Sequence, residues 1–392
     1  MIYVGIDVSK DKHDCYITNS DGEVLTKAFS FTNNLDGFNM LLQKISSVTN
    51  DFSTIKVGLE ATGHYSYNLL GFLLNKGFTA YVLNPLHTSL FRKSLTLRKT
   101  KTDKVDAYTI ATMLMSVPDL KPYSETDYRN EELKSLTRYR FDKIQDRARL
   151  KQSISRLVTI LFPELEKLVS NLHCTSIYTL LSEFPGAEAI SNSHLTRLTN
   201  LLYTASNGHY GKEKAEQIRT AARNSIGSYM PAKSLELKHT IKLIGELTAE
   251  IEEIESEIQR IMDELNSPIL TFPSISYKMG AMIIAEVGDF SRFDSPDKLL
   301  AYAGLSPSTY QSGKLESTHA HMEKRGSKYL RYALYNAAKY VCYWDPVFRA
   351  YLAKKRAEGK AYNVSLSHAI RKLVRVIYQL EKTQQPYVCK AA

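Results

Sequence analysis

Four acidic residues stand at positions from which they can meet. Asp7 closes the apolar run that opens the chain, Glu60 closes another, Ile55 to Glu60, and Asp103 and Asp106 lie three apart in Lys101-Thr102-Asp103-Lys104-Val105-Asp106-Ala107. The two runs read as strands and the last segment as the start of a helix. Side chains three apart on a helix share a face, and Thr102 stands where an N-cap would accept a main-chain N–H. An isolated Asp-x-x-Asp is ordinarily a solvated or salt-bridged pair; two further acids at strand ends make a common site the stronger reading. Carboxylates gathered in one place repel one another and resist burial unless a cation compensates them. Mg²⁺ prefers hard oxygen ligands and shares them with substrate phosphate. Two such ions about 4 Å apart stabilise the attacking and leaving oxygens of a phosphoryl displacement. The expected metal ligands and catalytic acids are therefore Asp7, Glu60, Asp103 and Asp106, and the expected cofactor is Mg²⁺.

The charge supports a polyanionic substrate. The chain has 392 residues, room for two or three domains, and a formal net charge of +10. Lys and Arg that neutralise phosphates release condensed counterions, so an excess of them favours nucleic acid. That excess is local: from Ser312 to Ala392 there are 16 Lys and Arg against 5 Asp and Glu. A second basic stretch, Arg92, Lys93, Arg98, Lys99, Lys101 and Lys104, surrounds the paired aspartates. The four cysteines are far apart and point to neither a zinc site nor a disulfide framework. No basic leader precedes an apolar core at the start, and no apolar run approaches membrane-spanning length, so a cytoplasmic protein with no membrane partner is expected.

The elements that must position the acids follow in a definite order. Ile2 to Ser9, His13 to Asn19 and Glu23 to Phe31 read as three strands, with Asp21-Gly22 as a turn signal between the last two. A helix from Leu35 to about Val48, the strand ending at Glu60, a helix from about Tyr65 to Lys76 and a strand from Thr79 to Leu83 come next. Three antiparallel strands followed by alternating helices and strands is the order of an α/β ribonuclease-H-like fold. That fold presents acids at strand ends and on a helix beside the sheet.

Beyond this the texture is helical. Arg129 to about Leu161 reads as a long polar helix, followed by a less regular insert at about 163–234. Leu237, Ile244, Ile251, Ile258 and Leu265, interleaved with Thr240, Leu247, Ile254 and Ile261, then keep a heptad spacing. The seam suits either an intramolecular hairpin with the earlier helix or a dimer. After Pro268, short helices near Met279 to Val287 and Asp297 to Ala303 resemble a helix-hairpin-helix element. The segment Gly304 to Lys314 and Lys324-Arg325-Gly326 then lead into a basic helix, Tyr329 to Val341. The boundaries expected are 1–125 for the acid-bearing domain, 126–267 for the helical coiled-coil region and 268–392 for a mainly α-helical C-terminal domain.

Gly5-Ile6-Asp7-Val8-Ser9-Lys10, Leu59-Glu60-Ala61-Thr62-Gly63-His64-Tyr65, the Lys101 to Ala107 block, and Gly304 to Lys314 with Lys324-Arg325-Gly326 resemble, in that order, the DEDD transposases of the insertion-sequence 110 family, relatives of Piv-type DNA invertases. The likeness covers roughly residues 1–160 and 268–350. It implies a RuvC-like N-terminal domain whose Asp7, Glu60, Asp103 and Asp106 bind Mg²⁺. It also implies a C-terminal transposase domain whose serine, at Ser312, attacks the DNA phosphate to form a phosphoserine link. Ser306 and Ser308 are the fallback nucleophiles, because the serine block has one glycine, Gly313, and Gln311 stands where a second serine is frequent. The implied partners are DNA (element ends and target), a non-coding bridge or seeker RNA, and further copies of the chain in a homo-oligomer.

A serine hydroxyl is a weak nucleophile that needs a base or a metal to activate it, and no His or Asp adjoins Ser312. Arg98, Lys99, Lys101, Lys314, Lys324, Arg325, Lys328 and Arg331 are the candidate nucleic-acid contacts. The expected activity is a DNA transposase that excises and inserts its own element. The alternatives are a site-specific DNA invertase using the same residues, and a RuvC-like metal-dependent nuclease without a covalent intermediate.

Overall fold

The structure is a computed structural model that describes residues 1–61, 63–95, 102–306, 311–312, 315–316, 322, 324 and 326–389, with only the main chain at 125–126, 311–312 and 315–316. The chain folds as two compact units, Met1–Tyr128 and Arg129–Ala392.

The first unit is built on five strands, β1 (Ile2–Val8), β2 (Lys12–Asn19), β3 (Val24–Thr32), β4 (Ile55–Glu60) and β5 (Thr79–Leu83). They form one mixed sheet in the order β3-β2-β1-β4-β5. β1, β2 and β3 pair antiparallel in succession, and β1, β4 and β5 run parallel. The turn signal at Asp21-Gly22 is realised: Gly22 adopts a φ of +82°, and Asn19 Oδ1 accepts from the Asp21 N–H at 3.0 Å. Helices α1 (Leu35–Ser46), α2 (Ser66–Asn75), α3 (Pro85–Leu95) and α4 (Asp103–Ser116) complete the unit. This sheet order is consistent with a ribonuclease-H-like start.

Side chains alternate along a strand, and here the alternation decides where the acids go. Val4, Ile6 and Val8 point into a core shared with Phe38, Leu41 and Ile45 of α1 and Leu69, Leu70 and Leu73 of α2. Gly5 and Asp7 therefore share the opposite face of β1, and Gly58 and Glu60 occupy matching places on β4. α4 lies on that face. A Cβ on Gly5 would stand 2.2 Å from the Ala107 carbonyl oxygen, and one on Gly58 2.9 Å from the Ile110 side chain. The two glycines let α4 approach the sheet closely, which brings its first turn towards the ends of both strands.

The second unit is helical. α5 (Glu125–Leu161), α6 (Leu165–Leu168), α7 (Thr175–Glu183), α8 (Ala187–Ser191), α9 (Leu195–Ala205), α10 (Lys212–Arg223) and α11 (Pro231–Leu265) come first. They are followed by α12 (Tyr277–Val287), α13 (Pro296–Tyr302), the short pair β6 (Gln311–Ser312) and β7 (Leu315–Glu316), then α14 (Lys328–Trp344), α15 (Pro346–Ala357) and α16 (Tyr362–Thr383). α5 and α11 run antiparallel side by side within the chain. Arg140 pairs with Glu255 at 2.6 Å and Arg156 with Glu236 at 2.8 Å, with Lys143–Glu250 between them and Arg129–Glu264 beyond.

Each end of this helix pair carries its own core. At one end Ile154, Leu157, Leu237 and Ile244 pack with the short helices α7, α9 and α10. At the other end Leu133, Ile254 and Ile258 pack with α12 to α16. The heptad residues at the two ends of α11 thus belong to two different intramolecular cores. The segment read as a less regular insert is five helices, none longer than 12 residues. Elements this short show too few turns for a 3.6-residue period to register.

Candidate active site

Asp7 and Glu60 are neighbours across two parallel strands. The register pairs Ile6 with Leu59, and the next residue on each strand is the acid. Adjacent strands are about 4.8 Å apart, so the two carboxylates start close together on the face that α4 covers. α4 begins as its sequence suggests: Thr102 is extended and its Oγ1 accepts from the Val105 N–H at 3.4 Å. Asp103 and Asp106 both fall in the first helical turn.

Electrostatics registers the convergence. Burial, joined by the charges of Asp106, Glu60, Asp103 and Asp14, raises the Asp7 carboxyl to about 7. Glu60, Asp103 and Asp106 therefore all act on Asp7, and Asp14, absent from the sequence reading of the site, acts with them. Asp14 is 3% exposed, accepts from the Ser30 hydroxyl at 2.6 Å and faces the Lys12 ammonium at 3.5 Å.

The acids have taken different partners. Asp106 Oδ1 accepts from an Arg92 guanidinium nitrogen at 2.6 Å, and Glu60 Oε1 accepts from the Thr88 hydroxyl at 2.5 Å. Thr88 and Arg92 lie four apart on α3, one turn of the same helical face. Together with Glu60 and Asp106 they line a cavity of about 190 Å³, closed by Pro85, Ser89, Thr109 and Ile110. Asp103 faces outward, its side chain 59% exposed, with Lys12 at 3.5 Å. Among the described residues no three His, Cys, Asp or Glu stand close enough to hold a metal ion in this arrangement. The donor chemistry nevertheless suits a hard divalent cation: oxygens only, with one carboxyl raised by burial and by its acidic neighbours.

Sequence reasoning missed Thr88 and the role of Arg92. Arg92 belongs to a basic stretch in the sequence, whereas the helix that carries it, α3, is not among the expected elements. The signal available was Asn84-Pro85: Pro suits the first turn of a helix, and the Asn84 side chain accepts from the Leu86 N–H at 2.9 Å.

The other candidate residues are dispersed. The main chain of Ser312 pairs antiparallel with Leu315; its hydroxyl, and Arg98, Lys99, Lys101, Lys314, Arg325 and Ser308, lie outside the described atoms. Ser306 is half-buried. Lys324 is exposed, with a φ of +52°. The Lys328 ammonium lies 4.8 Å from the centre of the Tyr329 ring. Arg331 donates to the main-chain carbonyls of Ala303 at 3.3 Å and Gly326 at 3.1 Å, so it holds the turn ahead of α14.

A buried ion pair supports that same turn. Glu286 of α12 is 2% exposed and accepts from Arg138 at 2.6 and 3.0 Å and from the Ser327 hydroxyl at 2.6 Å. Burial alone would push this carboxyl up, but the bonds from Arg138 and Ser327 outweigh it and hold it below the ordinary glutamate range.

A mixed α/β unit with converging acids, joined in one basic chain to a helical unit, is the frame of a DNA-processing enzyme. The comparisons with known proteins make the class definite. Residues 4–163 match the DEDD transposase family of IS110, and residues 266–353 match the transposase family of IS116, IS110 and IS902. The insertion element IS116 44.8 kDa protein of Streptomyces clavuligerus is 25% identical over 390 residues, covering 97% of this chain and 94% of that protein. The pilin gene-inverting protein of Moraxella lacunata is 25% identical over 390 residues, covering 98% and 97%. The insertion element IS900 42 kDa protein of Mycobacterium paratuberculosis is 25% identical over 404 residues, covering 98% and 97%. The chain belongs to the IS110 family of transposases and is a DNA recombinase. Among the described residues no helix is long and apolar enough to cross a membrane.

Proposed function

We propose that the chain excises and inserts its own insertion sequence. In this reading Asp7, Glu60, Asp103 and Asp106 hold Mg²⁺ in a RuvC-like domain, and Ser312 is the nucleophile. The observation that carries it is the cavity lined by Glu60 and Asp106, with Asp7 within their electrostatic reach. Bound there, Mg²⁺ would supply a Lewis acid for the phosphate and compensate the carboxylates.

The residues of the chain do the rest. Asp7 gives up its proton as the site fills. To hold the ion together with Asp7 and Glu60, Asp106 would have to exchange Arg92, and Asp103 would have to exchange Lys12, for the cation. Thr88 keeps Glu60 oriented. In the C-terminal unit Ser312 Oγ attacks phosphorus: a serine–phosphate bond forms, one phosphate–sugar bond breaks, and the departing sugar oxygen leaves as a hydroxyl. The phosphoester bond is conserved, so the reverse attack by a sugar hydroxyl on another strand joins new partners without an external energy source. Lys314, Lys324, Arg325 and Lys328 serve the phosphate. A bridge or seeker RNA from the element selects the DNA, and several copies of the chain assemble around it.

A suicide substrate tests the covalent step. With Mg²⁺ the wild-type protein is expected to become crosslinked to DNA, whereas Ser312→Ala binds the DNA and forms no adduct. An adduct that persists in Ser312→Ala moves the nucleophile to Ser306, Ser308 or Tyr310, and hydrolysed ends without any adduct assign the chain to the metal-dependent nucleases. The likeness to a pilin gene-inverting protein supports inversion as a second reading. The DNA flanking the gene separates the two, since element termini accompany transposition and an invertible segment accompanies inversion.

A further inference from the structure

The end of α14 carries an aromatic surface that neither the acids nor the serine segment uses. α14 buries Leu330, Leu334, Ala337 and Val341 on one side. In its last turns Tyr340, Tyr343 and Trp344 are 57%, 65% and 61% exposed. Spaced at i, i+3 and i+4, they share one face. Tyr343 and Trp344 stand edge to face, ring centres 4.9 Å apart and planes at 84°. Three large aromatic rings left in water within one turn run against the usual burial of such side chains.

The surroundings are basic. From 328 to 383 there are 12 Lys and Arg against three acids, and all three acids are engaged. Asp345 is 1% exposed and accepts from the Phe348 N–H and the Tyr387 hydroxyl. Glu358 pairs with Lys355 and Lys360. Glu381 accepts from the Ser267 hydroxyl and the Ile269 N–H. Cations stand nearby in the chain: Arg349 Nε donates to the Tyr343 main-chain carbonyl at 3.1 Å, and Lys339, next to Tyr340 in sequence, holds its ammonium 4.9 Å from the Tyr335 ring centre.

We propose that Tyr340, Tyr343 and Trp344 form a stacking platform for unpaired nucleic-acid bases, with Lys339 and Arg349 meeting the adjoining phosphates. Every base has a π face, so aromatic platforms beside cations bind single strands with little regard to sequence. A second copy of this chain is the poorer occupant, because it would bring the same excess of positive charge against this one. The proposal rests on the nucleic-acid substrate but not on the acid cluster.

Trp344 is the chain's single tryptophan, so emission excited at the red edge, where tyrosine does not absorb, reports on this surface alone. The full chain, free of divalent metal, is titrated with an oligothymidine single strand and with a duplex of equal length, binding being followed separately by anisotropy of a labelled strand. Saturable quenching by the single strand is expected. Trp344→Ala should weaken single-strand binding roughly tenfold and duplex binding less than twofold, with Trp344→Phe restoring most of the loss. Tyr340→Ala, which leaves the reporter in place, should weaken it in the same direction, and Asp106→Ala should leave quenching intact. Unchanged emission at saturation, equal affinity in Trp344→Ala, or equal loss for duplex and single strand would each overturn the platform. A fall in oligomer mass in Trp344→Ala with unchanged affinity would make the surface a protein interface instead.

Discussion

Asp7 and Glu286 are both carboxylic acids withdrawn from water, and the protein treats them in opposite ways. Glu286 receives two bonds from Arg138 and one from Ser327, and its carboxyl is held below the ordinary range in spite of burial. Asp7 is raised to about 7 by burial and, after it, by the charges of Asp106, Glu60, Asp103 and Asp14. Glu286 sits in a finished structural joint between α12 and the start of α14. The acids that act on Asp7 make no such joint with it: Asp106 is held by Arg92, Asp103 and Asp14 face Lys12, and each still opposes the charge on Asp7. A buried carboxyl is held down where donors face it and raised where burial is joined by like charge.

The comparison breaks first on activity. Replacing Asp7, Glu60 or Asp106 by Ala is expected to lower recombination on the order of 10³-fold or more while the protein stays folded, because each removes a donor rather than core. Circular dichroism with a recombination assay checks this, and retained activity in Asp106→Ala would remove that residue from the site.

Much of the acid-bearing unit was legible because its physics is local. Strand alternation, the Asp21-Gly22 turn and the Thr102 cap are each encoded within a few residues. The close approach of α4 was not, since Gly5 and Gly58 become informative only when another element is seen against them. Thr88 and Arg92 were missed for the same reason: a hydroxyl and a guanidinium on a short helix carry no sign of the acids 28 and 14 residues away that they hold. The five helices between α5 and α11 were hidden by their shortness. The pairing of α5 with α11 was one of two options that the heptad spacing allowed, and charge matching along the pair, not apolar periodicity, distinguishes it.

Stability offers the next contrast. Arg138→Met leaves Glu286 buried without its main partner and is expected to destabilise the C-terminal unit by about 3 kcal/mol, read from urea unfolding. Asp7→Asn removes a repelled charge and should leave the metal-free protein as stable as wild type or more so. Destabilisation by both substitutions to the same degree would erase the distinction between the two carboxyls.

The smaller effect is in pH. The Asp7 carboxyl is raised from 3.8 to about 7 on folding, so the folded state binds the proton more tightly than the unfolded state. Its contribution is fully present below about pH 4 and is lost as pH rises through 7. Metal-free wild-type protein should therefore lose stability between about pH 4 and 7 relative to Asp7→Asn. A difference that is flat across this window would mean that burial and the neighbouring acids do not raise the Asp7 carboxyl as described.

The most direct test is calorimetric titration of metal-free protein with Mg²⁺ at pH 6 and pH 8, in buffers of different ionisation enthalpy. If the acids await a cation, binding is saturable at both values, releases protons at pH 6 and almost none at pH 8 as Asp7 ionises, and is lost in Asp7→Asn. Absence of saturable binding in the wild type, or binding unchanged in Asp7→Asn, would contradict the claim that these four carboxylates form a metal site.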